Sequence, residues 1–223
     1  MRKLAAIVAV VAVLLVLLGF GADRATAVVA ERTISDRIAR SLVGVSSVST
    51  SIEGIPVLTQ VAHGSLDHVR VVLSGVPSGS GPTIDSVVAD LYGVSTSSPR
   101  TAQRVEAQAD VSTAELQRLL GDSWSIAPDG DALAVRWTGG LPLEARVVPS
   151  IRDGRVALDL ESVTVLGVHV DGSAVPAAVT DRINALAGSV GRLPLGLTPT
   201  AVSVTPTGVR LGASGTDVDF ETA

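Results

Sequence analysis

Apolar and polar residues alternate in several stretches of the chain, which is the period of a β-strand with one buried and one solvated face. The longest stretch runs from Ala102 to Ser112. Shorter runs of the same kind are Leu133, Val135 and Trp137; Val156, Leu158 and Leu160; Val202 and Val204; and Val209 and Leu211. Turn-forming residues lie between such runs at hairpin spacing, namely Pro128-Asp129-Gly130, Asp153-Gly154 and Pro206-Thr207-Gly208. The pattern predicts one antiparallel sheet joined by hairpins.

The period becomes helical in the segment that starts at Val28. Between Val28 and Leu42, the apolar residues Ile34, Ile38 and Leu42 recur every fourth position on one face. Arg32, Asp36 and Arg40 recur in the same way on another face. This spacing predicts an amphipathic N-terminal helix.

Two shorter helices are predicted later in the chain. Ser112-Thr113-Ala114-Glu115 has the form of a capping box and predicts a helix to about Leu120. Pro176 suits a first helical turn, and one helical face follows it, formed by Val179, Ile183, Leu186 and Val190. The predicted fold class is α+β, an antiparallel sheet with an N-terminal helix and two short helices.

The first residues have the pattern of an export signal or a membrane anchor. Met1-Arg2-Lys3 is followed by an unbroken apolar run from Leu4 to Phe20, and Ala25-Thr26-Ala27 has the small-x-small form of a cleavage site. Residues 1–27 are therefore predicted to be cleaved or retained as an anchor, and residues 28–223 to form a single domain. The domain is expected on the outer side of the membrane, in the cell envelope, anchored or secreted.

Composition and charge exclude several classes of protein. Hydrophobic residues make up 46% of the 223 positions and charged residues 17%, which excludes intrinsic disorder. Aromatic residues make up 2% and the net charge is −5, so a nucleic-acid partner is not expected. Residues 1–27 carry three basic groups and one acidic group, so the exported part is near −7. The chain has no cysteine, which excludes disulfides and thiolate metal sites.

Residues suited to catalysis are few. The five-residue spacing of His63 and His68 fits a metal pair on neither a strand nor a helix, and His169 lies far away in sequence. No Gly-x-Ser-x-Gly elbow occurs. Three pairs of carboxylates, Asp129/Asp131, Asp159/Glu161 and Asp217/Asp219, fall on solvated strand faces or in turns. The sequence predicts no enzyme, no metal and no cofactor.

Two apolar segments around proline do not alternate. One spans Gly54 to Val61, and the other runs from Gly191 to Leu197. Proline restricts such segments to edges, bends or irregular strands. They either close off the core or line an apolar groove for a greasy ligand.

These segments carry a family resemblance. Gly54-Ile55-Pro56-Val57-Leu58-Thr59-Gln60, followed by Gly64-Ser65-Leu66-Asp67-His68-Val69, resembles the signature of the LmeA family of actinobacterial phospholipid-binding proteins of the cell envelope. Ile55 and Val57 stand where aromatic residues are common in that family. The run from Leu193 to Leu197, with Val202 to Val209, resembles the family's ending.

The resemblance implies a fold similar to the tubular lipid-binding domains of bactericidal/permeability-increasing proteins. In those domains a strongly curved antiparallel sheet wraps around a long helix and leaves an apolar channel for lipid. The implied partner is a phospholipid. The candidate lining of the channel is Ile34, Ile38, Leu42, Ile55, Val57, Leu58, Leu193, Leu195 and Leu197.

Any anionic head group would be held by local arginines, because an exported part near −7 repels anionic membranes. The candidates are Arg192, a lone charge beside Leu193-Pro194-Leu195, and Arg70, in the strand after the signature. A guanidinium at an aliphatic mouth binds phosphate bidentately.

Three classes of function remain open at this point. The first is an exported phospholipid carrier or sensor. The second is a non-enzymatic scaffold that stabilises a membrane-associated biosynthetic enzyme, and it predicts no bound lipid. The third is an envelope hydrolase, which requires a serine, a histidine and a carboxylate brought together from distant segments.

Overall fold

A computed structural model describes residues 27–33, 35–36, 44–54, 56–78, 82–137, 139–140, 142–170 and 193–220. These residues form eleven strands in two antiparallel sheets. The strands are β1 (Ser47–Glu53), β2 (Ser65–Val76), β3 (Ile84–Ser95), β4 (Thr101–Ser112), β5 (Trp124–Asp129), β6 (Ala132–Trp137), β7 (Leu143–Arg152), β8 (Arg155–Val165), β9 (Val168–Val170), β10 (Thr198–Thr205) and β11 (Gly208–Asp219).

The six-stranded sheet has the order β1-β2-β3-β4-β11-β10, and the five-stranded sheet is the meander β5-β6-β7-β8-β9. All three predicted hairpins are confirmed, between β5 and β6, β7 and β8, and β10 and β11. The expectation of a single sheet is wrong. β4 pairs with β3 on one edge and, on the other, with β11, which lies about a hundred residues later in the chain. Strands β5 to β9 form a separate sheet.

Three α-helices lie among the described residues: α1 (residues 27–33 and 35–36), α2 (Val57–Ala62) and α3 (Thr113–Leu120); a short 3-10 helix covers Pro194–Gly196. The rest of the predicted N-terminal helix, and the helix predicted after Pro176, lie outside the described residues. None of the helices in the described part of the chain is long and apolar enough to cross a membrane. The apolar run from Leu4 to Phe20 also lies outside that part.

Helix α2 corrects the expectation of an irregular strand or bend around Pro56. Pro56 is the N-cap residue, in extended conformation, and its carbonyl accepts the Gln60 N–H at 3.3 Å. A proline before the first helical residue has no N–H to leave unpaired, so it begins the helix instead of preventing one.

Helix α3 ends at Leu120, as predicted, but its capping box does not form. The Glu115 carboxylate accepts the backbone N–H of Thr83 at 3.1 Å instead of reaching back along its own helix. The Gln117 amide connects the helix to β5, since its Oε1 accepts the Ile126 N–H at 3.0 Å. Tertiary partners therefore replace the local cap.

The core of the five-stranded sheet also joins the two sheets. Val147 and Val163 are almost completely buried in it, together with Leu120 of α3. Val204 and Val209, from β10 and β11, pack against the same cluster. The six-stranded sheet thus contacts the second sheet through its last hairpin and through α3.

An arginine with three carboxylates stabilises the outer side of the five-stranded sheet. Arg146 on β7 donates to Glu161 at 2.6 Å and to Asp131 at 2.7 Å, and it also contacts Asp129. The hydrogen bond to Glu161 raises the pKa of Arg146 above its ordinary value, with a further contribution from the charge of Asp129. The carboxylate pairs Asp129/Asp131 and Asp159/Glu161 thus have protein partners, since Arg152 also contacts Asp159 at 2.7 Å.

We expect Arg146→Gln to lower the melting temperature, because it leaves three neighbouring carboxylates without their shared cation. The loss should be largest at low ionic strength and should shrink as salt screens their repulsion. Thermal melts of both proteins across a salt series measure it. A loss of the same size at low and high salt would contradict an electrostatic cause.

Candidate functional site

The six-stranded sheet has one apolar and one polar face, because side chains alternate along each strand. Val69 and Val71 of β2 are buried on one face, and Arg70 between them is exposed on the other. The cross-strand register extends this division to β3, β4 and β11. We call the side that carries Val69 and Val71 the apolar face.

Three alanines on adjacent strands line up across the middle of the apolar face. Ala89 of β3 is opposite Ala107 of β4, and Ala107 is opposite Ala213 of β11. We call these three residues the alanine row. Each of the three neighbouring strands contributes only a methyl group at this row. The surface is therefore lower at the alanine row than at positions of the apolar face that carry valine or leucine.

Side chains larger than alanine flank the alanine row on both sides, except at Ala109 of β4 and Gly215 of β11. On one side are Leu91 and Val105, and they pack with the residues of α1, α2 and segment 195–197 that cover this end of the sheet. On the other side are half-buried side chains of the neighbouring register row, namely Leu73, Val87, Ala109 and Leu211. We call the alanine row, in which Ala213 is buried and Ala89 and Ala107 are half-buried, the apolar trough.

The polar face carries a chain of charged and aromatic contacts. His68 lies between Glu53 and Asp90, with its Nδ1 3.0 Å from a Glu53 oxygen and its Nε2 2.8 Å from an Asp90 oxygen. The His68 ring stacks on the Tyr92 ring, with centroids 4.6 Å apart. The Arg104 guanidinium lies over the same Tyr92 ring, 4.5 Å from its centroid. His68 is therefore half-buried within a network of side chains.

This network does not have the arrangement of a hydrolase triad. Both ring nitrogens of His68 contact carboxylate oxygens, so neither is directed at a hydroxyl nucleophile. His63 directs its Nδ1 at the Thr59 carbonyl oxygen, 2.8 Å away. His68 is therefore not placed to activate a serine.

Several residues predicted to line a lipid channel lie outside the described part of the chain, as does the predicted head-group residue Arg192. The lining residues concerned are Ile34, Ile38, Leu42 and Ile55. Their roles stay predictions.

The structure places the remaining predicted residues in different surroundings. Val57 is 2% exposed and packs in the core between α1, α2 and the sheet. Leu58 is 43% exposed. Leu195 and Leu197 are half-buried and pack against the cluster around Val105, and Leu193 is half-buried just before them.

Arg70 lies on the polar face, 3.4 Å from Asp90, with its side chain 47% exposed. A lipid on the apolar face would be separated from Arg70 by the sheet. The prediction that Arg70 holds a head group therefore requires a ligand on the polar side.

The alanine row is absent from the residues singled out in the sequence. Ala107 is visible there as a member of an alternating strand, but nothing shows that it faces Ala89 and Ala213. The signal is a small residue on the apolar side of each of three strands. It becomes informative only when the strand register is known.

A family model described as LmeA-like phospholipid-binding matches residues 21–214 of the chain. The chain belongs to this family. The resemblance found in the sequence signature is thereby confirmed. No curated protein and no solved structure gives a significant match.

Membership of the LmeA-like family favours the first of the three classes of function, a phospholipid-binding protein. The family is one of phospholipid-binding proteins and is not a known enzyme family. The matched range contains all three helices, strands β1 to β10 and most of β11. The alanine row lies inside the matched range.

Proposed function

We propose that this protein is exported and binds a phospholipid by its acyl chains, which lie along the apolar face. The observation that carries the proposal is the trough at the alanine row, in a chain of a phospholipid-binding family. Burial of acyl chains stabilises the complex by about 0.8 kcal/mol for each methylene removed from water. The aliphatic residues that flank the trough offer the surface for this burial.

We propose further that the six-stranded sheet curves around a helix, as in tubular lipid-binding domains. Gly93 of β3 (φ 61°) and Asp217 of β11 (φ 50°) both have a left-handed backbone conformation. Their strands lie on either side of β4, and both residues are beside Gln103 of that strand. Both Leu91 and Val94 then contact the core, although strict alternation would direct them to opposite faces. Local breaks of this kind bend strands, and they support a curved sheet.

Export to the cell envelope is proposed on the charged start and the apolar run from Leu4 to Phe20, which can serve as a signal or as an anchor. The head group is proposed to be bound locally, with Arg192 as a candidate for an anionic lipid. A net charge near −7 on the exported part gives no general attraction to anionic membranes.

Native mass spectrometry of the full chain, released from detergent micelles, tests lipid binding directly. We expect phospholipid to co-purify at close to one molecule per chain and to survive exchange into a second detergent. A chain that carries no lipid, and takes up none from vesicles after delipidation, would contradict the proposal and favour the scaffold function.

A further inference from the structure

Three exposed aliphatic side chains lie on α1 and α2, the two helices that pack beside β1 and β2. Leu58 and Val61 of α2 are 43% and 42% exposed, and Val29 of α1 is 64% exposed. Ala27, two residues before Val29, is buried in the same core cluster as Val57, the first residue of α2. The exposed aliphatic side chains of the two helices therefore belong to one region of the protein.

Buried contacts fix the orientation of α2. Val57 and Gln60 are directed into the protein, and the Gln60 Oε1 accepts a backbone N–H of β2 at 2.9 Å. At 100° per residue, Leu58 and Val61 lie within about 60° of each other on one flank of the helix. Thr59 lies on the other flank and is also exposed. The outer surface of α2 is thus apolar on one flank and polar on the other.

The stretch that contains α2 has none of the residues that carry a fixed charge. The chain has 17 basic and 22 acidic residues, but residues 54–66 include no aspartate, glutamate, lysine or arginine. The exported part is near −7, so an anionic membrane repels most of its surface. An uncharged surface avoids this repulsion, and it can approach lipid without the cost of removing water from charged groups.

The predicted export signal or anchor lies only a few residues before α1. The apolar run ends at Phe20, and α1 is described from Ala27. Seven peptide steps span at most about 25 Å when fully extended. An apolar run that is retained in the membrane would therefore hold α1, and α2 beside it, close to the bilayer.

We infer that the surface formed by Val29, Leu58 and Val61 docks on the lipid bilayer, with α2 lying in the interfacial region. We call these three residues the docking surface. The inference rests on the proposed function, because a protein that takes lipid from a membrane has to contact that membrane. Burial of apolar area at the interface drives binding of this kind. Three partly exposed side chains give only weak binding by themselves, so the nearby N-terminal segment has to supply the rest.

A second exposed apolar surface provides a comparison. Among the described residues, the other large aliphatic side chains that are exposed are Leu166 and Val168 of the β8–β9 hairpin, at 62% and 67%. This hairpin belongs to the five-stranded sheet and is far in sequence from the N-terminal segment. It therefore tests whether exposure of aliphatic side chains is sufficient for contact with a bilayer.

Single cysteines can report contact with the bilayer, because the chain has no cysteine of its own. Full-length Val29→Cys, Leu58→Cys, Thr59→Cys and Val168→Cys are each labelled with an environment-sensitive fluorophore and reconstituted into phosphatidylcholine vesicles. Lipids with a nitroxide on the acyl chain quench a fluorophore that enters the bilayer. We expect the labels at positions 29 and 58 to brighten on reconstitution and to lose most of their fluorescence to the nitroxide lipids. The labels at positions 59 and 168 should keep the emission they have in water.

A charge placed on the docking surface should remove it from the bilayer. Val61→Asp, made in the labelled Leu58→Cys protein, should reduce quenching to that of the label at position 168, because a carboxylate loses its hydration at the interface. Thr59→Asp adds the same charge to the polar flank and should leave quenching unchanged. Added salt should also leave it unchanged, since residues 54–66 offer no fixed charge to screen. A melting temperature for each variant shows whether folding is retained.

A label at position 58 that stays in water after reconstitution, or equal quenching at positions 58 and 168, would overturn the inference. Brightening without vesicles that grows with protein concentration would assign the surface to a second copy of the chain, and it would also overturn the inference. Lipid per chain, measured by native mass spectrometry on the wild-type protein, tests the proposed function separately. A chain that carries lipid while its docking surface stays in water loses only the docking inference, whereas a chain that binds no lipid contradicts the proposed function.

Discussion

Replacing Ala107 with tryptophan is expected to remove most of the phospholipid bound by the chain. Ala107 is the central member of the alanine row and is half-buried. An indole at this position would fill the trough and displace about four methylenes of acyl chain, a loss of about 3 kcal/mol. That corresponds to roughly a hundredfold in affinity. Lipid per chain, measured by native mass spectrometry after extraction from vesicles, reports the change.

Gln108→Trp is the matched control for Ala107→Trp. Gln108 is the next residue of β4 and is exposed on the polar face, so the same indole stands on the other side of the same strand. We expect lipid binding by Gln108→Trp to equal that of wild type. If Ala107→Trp instead lowers the melting temperature while its folded fraction binds lipid normally, the alanine row is packed against protein and does not hold acyl chains.

Gly208→Ala is expected to destabilise the fold more than a surface substitution elsewhere in the described chain. Gly208 begins β11 and is buried, and an added Cβ would stand 2.0 Å from the Val111 carbonyl oxygen of β4. The three nearest atoms, the Val111 carbonyl oxygen and carbon and the Ser112 Cα, all belong to the backbone, so no side-chain rotation relieves the overlap. We expect Gly208→Ala to cost about 3 kcal/mol, or on the order of 10 °C in melting temperature.

Gly212→Ala provides the comparison on the same strand. Its Cβ would meet the Ala201 Cβ and the Thr200 hydroxyl at 3.5 Å, which is ordinary van der Waals contact. We expect a change of less than 1 kcal/mol in the free energy of unfolding, because alanine also restricts the unfolded chain more than glycine does. Urea titrations of the two variants side by side measure the difference. Equal midpoints for the two would show that β11 can shift away from β4 at its first residue.

The period of the sequence by itself determined most of the local structure after residue 100. The alternation around Val105 predicts β4, and Asp153-Gly154 predicts the turn between β7 and β8, because both signals depend on residues adjacent in sequence. The signature around Gln60 determined the family in the same way, and the family model confirms it.

Local signals failed where tertiary partners replaced local ones. The sequence predicts that the Glu115 carboxylate caps its own helix. In the folded chain the carboxylate instead accepts a hydrogen bond from the Thr83 N–H. Pro56 precedes a helix instead of a bend, and the buried Gln60 amide then connects that helix to β2 through Asp67. The connection between α2 and β2 through Gln60 could not be found from local signals alone.

Strand pairing decided the candidate binding surface. A two-residue period shows which side chains share a face, but it does not show which strand lies beside which. Only the pairing of β4 with β11 brings Ala107 beside Ala213, and only the β3–β4 register adds Ala89. Ala107 and Ala213 are distant in sequence, and their proximity depends on the packing of the whole sheet. The sequence therefore determined the strands and the family, while the tertiary structure decided where a lipid could lie.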